Sequence, residues 1–257
     1  MTYTEPQTGQ VDSGDLQRLD NVLADTATPS LTRKALMTRA ALGAAGVGAL
    51  GALGPIPAAL AKGSGSESIT SIVNAAVTAE ALAVTYLTGL IENAKATGVT
   101  KFVDVLKAAN AAEYDHYKAL RSLGAKPLTL KFWAPDAFFK PGEPFKVLEF
   151  AETQFVNAYL IHVTATAKAG MDRAARYGAE ILGTEAQHLA LARFAQGKLP
   201  NNVGFMQYKT HTIGGIVANL EHAGIGFGKR GKGPGRFYHY HRPPHHALAR
   251  ITDNKPR

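Results

Sequence analysis

The chain has 257 residues and a mass of 27.2 kDa, enough for one sizeable core. It contains no cysteine, which excludes disulfides, thiolate metal sites, iron–sulfur clusters and cysteine nucleophiles. The formal charge is +8, yet charged residues are only 19% of the chain and much of the excess lies in a tail, so composition makes no case for nucleic acid.

Residues 1–30 are polar with scattered acids and are expected to be disordered. A basic head follows, with Arg33, Lys34 and Arg39, and then an uncharged run of Ala, Gly and Leu over residues 40–60 that ends in Ala59-Leu60-Ala61. Head, apolar run and small-residue end form an export signal over residues 31–61, with cleavage expected after Ala61. The run is also long enough for an uncleaved membrane tether, although Pro55, Pro57 and the glycines make it only mildly apolar. The segment Thr32-Arg33-Lys34-Ala35-Leu36-Met37 resembles a twin-arginine signal, with Lys34 in place of the second arginine. That resemblance implies export in the folded state. The domain is expected to work outside the cytoplasm, in the periplasm, in the cell wall or secreted.

From Ile69 onward the apolar residues fall at helical spacing. A first helix carries Ile69, Val73, Ala76, Val84, Leu87 and Ile91 in phase and stops between Ala94 and Gly98. A second spans about Lys101 to Leu123, with Phe102, Leu106, Ala109 and Leu120 on one stripe. Residues 125–144 form a proline-rich connection that holds Phe132, Trp133, Phe138 and Phe139, so it is expected to lie against the core. A third helix runs from about Phe145 to Lys168 and a fourth from about Asp172 to Ala195, separated by Gly170. Two short turns and one long crossover describe an all-α, up-down-down-up bundle over residues 67–197. No stretch alternates cleanly enough to argue for a sheet.

Each apolar stripe is interrupted by one carboxylate: Glu80, Glu113, Glu152 and Glu185. A buried carboxylate costs several kcal/mol unless it is paired or holds a metal. Two of the four have a histidine three residues on, His116 after Glu113 and His188 after Glu185, which places both side chains on one helix face. Four carboxylates and two imidazoles in this arrangement are the ligand set of a dinuclear site. Spacing argues the same independently. Glu80 and Glu113 are 33 residues apart, as are Glu152 and Glu185, and every ligand of the first half recurs 72 residues later. Two antiparallel helices need arms of equal length to bring their ligands level, and an arm short by two residues would displace a ligand by roughly 3 Å. The halves are therefore expected to be related by a pseudo-two-fold through the metals. Glu149 also lies near the third helix face, but the repeat selects Glu152. Tyr86, Tyr114, Tyr117 and Tyr159 fall near the ligand levels as packing residues, hydrogen-bond donors or radical-prone groups, and His162 is expected at the surface or the end of the core rather than among the ligands.

These residues resemble those of the ferritin-like superfamily, and within it the exported bacterial ferritin-like domain proteins associated with desiccation or stress. The stretches Ala151–Tyr159 and Leu182–His188 are similar to that group's third and fourth helices. The resemblance implies Glu113 and Glu185 as bridging ligands, Glu80 and Glu152 as terminal ligands, and one histidine per metal. It implies two Fe or Mn ions as cofactors. It leaves three uses open: oxidation of Fe(II) or another reductant by O2 or peroxide, a di-manganese catalase-like reaction, and a non-enzymatic metal-binding role in envelope stress protection. Without cysteine there is no rubredoxin-type centre, so electrons would come from an external donor. Similar bundles often pair, so a homodimer is compatible with the resemblance.

Residues 198–257 form an extension with a fifth helix at about Ile213 to His222 and a basic tail rich in Gly and His. The glycines between Gly224 and Gly235 do not match a phosphate loop, because Lys232 is followed by glycine and no strand precedes the run. The tail is expected to be solvated and irregular. Its arginines suit an anionic envelope surface rather than nucleic acid, and His239, His241, His245 and His246 are placed to collect metal loosely.

Overall fold

A computed structural model describes residues 67–206 and 208–251. The expected disordered segment 1–30 and export signal 31–61 lie outside the described residues. The chain is mostly helical, with one small sheet.

Helix α1 spans Ile69–Glu92. Ser68 caps it by accepting from the Ser71 amide at 3.1 Å, which satisfies one of the amides a helix start leaves free. The chain turns through α2 (Ala94–Thr97), which Gly98 ends in a left-handed conformation. A 3-10 turn leads into α3 (Val103–Ser122). Helix α4 is Pro144–Lys168, with a proline in its first turn where the missing N–H costs nothing. Helix α5 is Asp172–Ala195, with an acid in its first turn and Arg193 in its last, both favourable to the helix dipole. Helix α6 is Ile213–Ala223. The Glu67 carboxylate accepts from the Ile213 and Gly214 amides at 2.7 and 2.9 Å, tying the start of the domain to the start of α6. By length and composition α1 could cross a membrane, but its apolar residues serve the core, and Glu80 lies within it.

Helices α1, α3, α4 and α5 pack in a closed ring, in which α1 touches α3 and α4, and α5 touches α4 and α3. Two apolar clusters sit at opposite ends of this ring. One joins Ala76 and Val77 of α1 to Leu120 of α3, Tyr159 of α4 and Ile181 of α5. The other joins Leu87 and Leu90 to Leu106, Leu148 and Ala192. Reading these sets along each helix shows that α1 and α5 run one way and α3 and α4 the other. The parallel helices α3 and α4, diagonal in the ring, are joined by the long connection.

That connection holds β1 (Lys131–Pro135), which is the centre of a three-stranded antiparallel sheet. Strand β2 (Gly226–Phe227) pairs on one side, with Phe132 opposite Phe227. Strand β3 (Gly235–His239) pairs on the other, from Lys131 opposite His239 to Pro135 opposite Gly235. The expectations of an all-α chain and an irregular tail are corrected here. The tail glycines serve close backbone approach: a Cβ on Gly226 would collide with the Lys229 carbonyl, and one on Gly231 with the Gly224 carbonyl. The last described residues dock on the bundle, where Asn110 donates to the Ala247 carbonyl at 3.0 Å and the Ala249 amide donates to Lys107 at 3.2 Å.

Candidate metal centre

All six residues expected as ligands come together between the two apolar clusters. Glu80, Glu113, Glu152 and Glu185 are each at most 2% exposed. Each stands on a different helix of the ring, and His116 and His188 follow one turn after Glu113 and Glu185. The ligand atoms form two overlapping groups. Glu80, Glu113, His116 and Glu185 each offer an atom within 4.8 Å of the others, and so do Glu113, Glu152, Glu185 and His188. Glu113 and Glu185 belong to both. Adding 72 to Glu80, Glu113 and His116 gives Glu152, Glu185 and His188, and subtracting 72 from Glu185 gives Glu113. The repeat in the sequence thus exchanges one group for the other, as a two-fold between the hairpins requires.

The polar atoms of the two groups lie close together without aligned hydrogen bonds. His116 Nδ1 lies 3.3 Å from Glu185, 3.4 Å from Glu113 and 3.6 Å from Glu80. His188 Nδ1 lies 2.7 Å from Glu113 and 3.7 Å from Glu185. These approaches are out of line for hydrogen bonds. Both oxygens of Glu113 and Glu185, one each of Glu80 and Glu152, and both Nδ1 atoms are buried without a hydrogen-bond partner. Buried polar atoms are almost always paired. Eight such atoms converge on one interior volume, and the buried cluster could hold a metal ion.

The electrostatics of the metal-free cluster divide it in two. Burial, reinforced by the Glu113 and Glu185 charges, pushes the Glu80 carboxyl well above the usual range. Burial and the same two neighbours push Glu152 the same way. Burial also acts against ionised Glu113, but the His188 charge and the close polar groups of Glu80, His116 and His188 outweigh it and hold Glu113 low. Glu185 is likewise lowered, its burial and the Glu113 charge being outweighed by both histidines. Burial disfavours the imidazolium of His188, yet Glu113 and Glu185 raise it to about 9, and His116 is raised well above its usual value by the surrounding glutamates. Without metal these shifts favour ionised Glu113 and Glu185, protonated His116 and His188, and neutral Glu80 and Glu152.

Among the four tyrosines near the ligand levels, Tyr159 is the one bonded to a ligand, its hydroxyl donating to Glu80. Burial, with Glu80 and Glu185 beside it, pushes its hydroxyl well above the usual range. Tyr86 instead donates to the Phe138 carbonyl at 2.8 Å. Glu149 lies outside the cluster, held by Arg193, Gln196 and Lys198, in agreement with the choice of Glu152. His162 is at the end of the core, fully buried, and no ligand group includes it. The two groups contain none of the tail histidines. The residue that the repeat could not single out is Tyr159. It lies seven residues after Glu152, but the glutamate it serves is on α1.

Comparison with known protein families, with curated proteins and with solved structures finds no match.

Proposed function

We propose that the chain is an exported ferritin-like protein whose cluster holds two metal ions, iron first among them, and that it oxidises Fe(II) or another reductant with O2 or peroxide. The observation that carries this reading is the pair of overlapping ligand groups that share Glu113 and Glu185 and exchange under the 72-residue repeat. The opposed helix directions and the long crossover between α3 and α4 support a ferritin-like connectivity. A donor set of carboxylate oxygens and two imidazoles suits Fe and Mn. In this reading Glu113 and Glu185 bridge, Glu80 and His116 complete one position, and Glu152 and His188 complete the other. When bound, a pair of iron ions supplies electrons to O2 or peroxide and regains them from an external donor.

The chain's own residues prepare that chemistry. The apolar clusters on either side exclude water and strengthen every charge interaction within the layer. Tyr159 orients Glu80. Glu80 and Glu152 hold protons in the metal-free state that leave when their oxygens bind. Export and contact with an anionic envelope surface belong to the same proposal. The sequence of residues 31–61 supports the first, and Arg230, Lys232, Arg236 and Arg242 around the sheet support the second.

The test is anaerobic loading with Fe(II), followed by O2 or peroxide with oxidation read optically. The reading predicts oxidation much faster than for the E113A/E185A variant. Metal uptake with no faster oxidation would leave a metal-binding protein without turnover, and peroxide disproportionation by the manganese form alone would favour the catalase-like reaction.

A further inference from the structure

The two metal positions are not equivalent in their surroundings. A cavity of about 290 Å³ reaches Glu152 and His188. Its walls are mostly apolar, with Leu87, Ala109, Leu148 and Ala192 among them. The 72-residue relation marks three of its wall residues as smaller than their counterparts. The counterparts of Leu87, Ala109 and Ala192 are Tyr159, Ile181 and Leu120. Those three larger side chains are buried together in the opposite cluster, where Tyr159 also bonds to Glu80. The exchange runs the other way at Phe102, Leu106, Phe145, Leu148, Leu191 and Phe194, whose counterparts Ala174, Gly178, Val73, Ala76, Ala119 and Ser122 are smaller. The half with Glu152 and His188 has room beside it.

The cavity has a polar outer end. Lys101 lines it and is solvent-exposed, and among the described residues it has no ion-pair partner. Leu191 and Phe194, also lining it, are 43% and 62% exposed and form an apolar lip. Glu152 and His188 are buried, so they mark the inner end. A dry cavity of about 150 Å³ takes benzene, with six heavy atoms, so this one has room for about twelve. That is one medium-length chain with a small head, and too little for two chains.

We propose that this cavity binds a single-chain carboxylate of the medium-chain fatty-acid class, with its carboxylate at Lys101 and its chain end against Glu152 and His188. Apolar walls bury the chain, the lysine meets the charge at the surface, and the far end arrives where a metal ligand already stands. Placing the chain end beside a metal rests on the proposed function, but the binding itself does not.

The experiment uses the full chain loaded with Mn(II) and decanoate, which has twelve heavy atoms, below its micellar concentration. Proton relaxation and calorimetry are the readouts. One decanoate per chain is expected, with the terminal methyl relaxed by Mn(II) several-fold faster than the protons next to the carboxylate. The A109I/A192L variant installs the counterpart side chains and is expected to weaken binding by about tenfold or more while keeping its manganese. Ala192→Leu alone is the smaller step if the double variant does not fold. Lys101→Gln is expected to weaken decanoate by about fourfold and leave decanol unchanged, as an exposed ion pair implies. Absence of saturable binding, or unchanged binding in a folded A109I/A192L variant with normal manganese, would overturn the proposal. Displacement of decanoate by phosphatidylglycerol vesicles would overturn the assignment to a free acid. If no manganese binds, the metal reading fails, and the calorimetric comparison with A109I/A192L still decides the cavity.

Discussion

Loading two divalent ions into the metal-free protein should release four protons near neutral pH. Burial keeps Glu80 and Glu152 protonated, and the glutamates around them keep His116 and His188 protonated, His188 up to about 9. Glu113 and Glu185 are ionised. The charge of the metal-free layer is then two negative and two positive, a net of zero. Ligation needs four ionised carboxylates and two free Nδ1 atoms, so two carboxyl and two imidazolium protons leave. The loaded layer has four positive charges from the ions and four negative from the carboxylates, again zero. A buried layer that is neutral both empty and full avoids the several kcal/mol an uncompensated charge would cost. The assay is anaerobic titration with Mn(II) or Fe(II) in a weakly buffered solution with a pH indicator, supported by calorimetry in buffers of different ionisation enthalpy. The count should be close to two per ion at pH 7 and should fall as pH rises through about 9, where His188 has already lost its proton. Release of one proton or fewer per chain would refute the assigned charge states and the ligand set with them.

The same shifts set the pH dependence of the metal-free fold. The raised pKa of His188 contributes stability that is fully present below its unfolded value of 6.5 and is lost as pH rises through about 9, roughly 3 kcal/mol over that window. Glu80 and Glu152, also raised, act in the same direction from their unfolded value upward. Glu113 and Glu185, lowered, contribute above their unfolded value and lose that contribution as pH falls through their depressed values. The metal-free protein should melt highest at mildly acidic pH, and the gain in Tm on metal loading should widen from pH 6 to pH 9. Parallel melting curves would contradict this. Tyr159→Phe removes the donor that orients Glu80, so the metal at Glu80 and His116 should bind about tenfold more weakly while the other is unchanged, seen as two phases in a titration. Glu152→Gln should cost one ion per chain, whereas Glu149→Gln, whose carboxylate serves Arg193, Gln196 and Lys198, should leave metal content intact.

The helices and the ligands were legible for the same reason. A stripe of apolar residues at helical spacing makes an interrupting carboxylate conspicuous, and the equal 33-residue spacing across the two hairpins tells which carboxylates share a level. The sheet was hidden because its strands are short and its partners are distant. Strand β1 is apolar on consecutive residues, ends in Pro135, and pairs with residues about a hundred positions later. The glycines of the tail look like flexible chain, yet they allow tight backbone crossings that exist only once the sheet has formed. Burial of His162 was not legible either. Its ring packs against Gly178 of the neighbouring helix, a relation between helices that no single periodicity contains. The cavity depends on small residues that meet across the bundle, Ala109 from α3 and Ala192 from α5, a relation between helices that neither periodicity contains.

The central claim is that Glu80, Glu113, His116, Glu152, Glu185 and His188 hold two metal ions. Metal analysis of the folded protein, with the E113A/E185A variant beside it, addresses that claim most directly. The account predicts two Fe or Mn ions per chain and none in the variant. A natively folded protein that takes up no metal when offered Fe(II) or Mn(II), with the variant unchanged in stability, would contradict it.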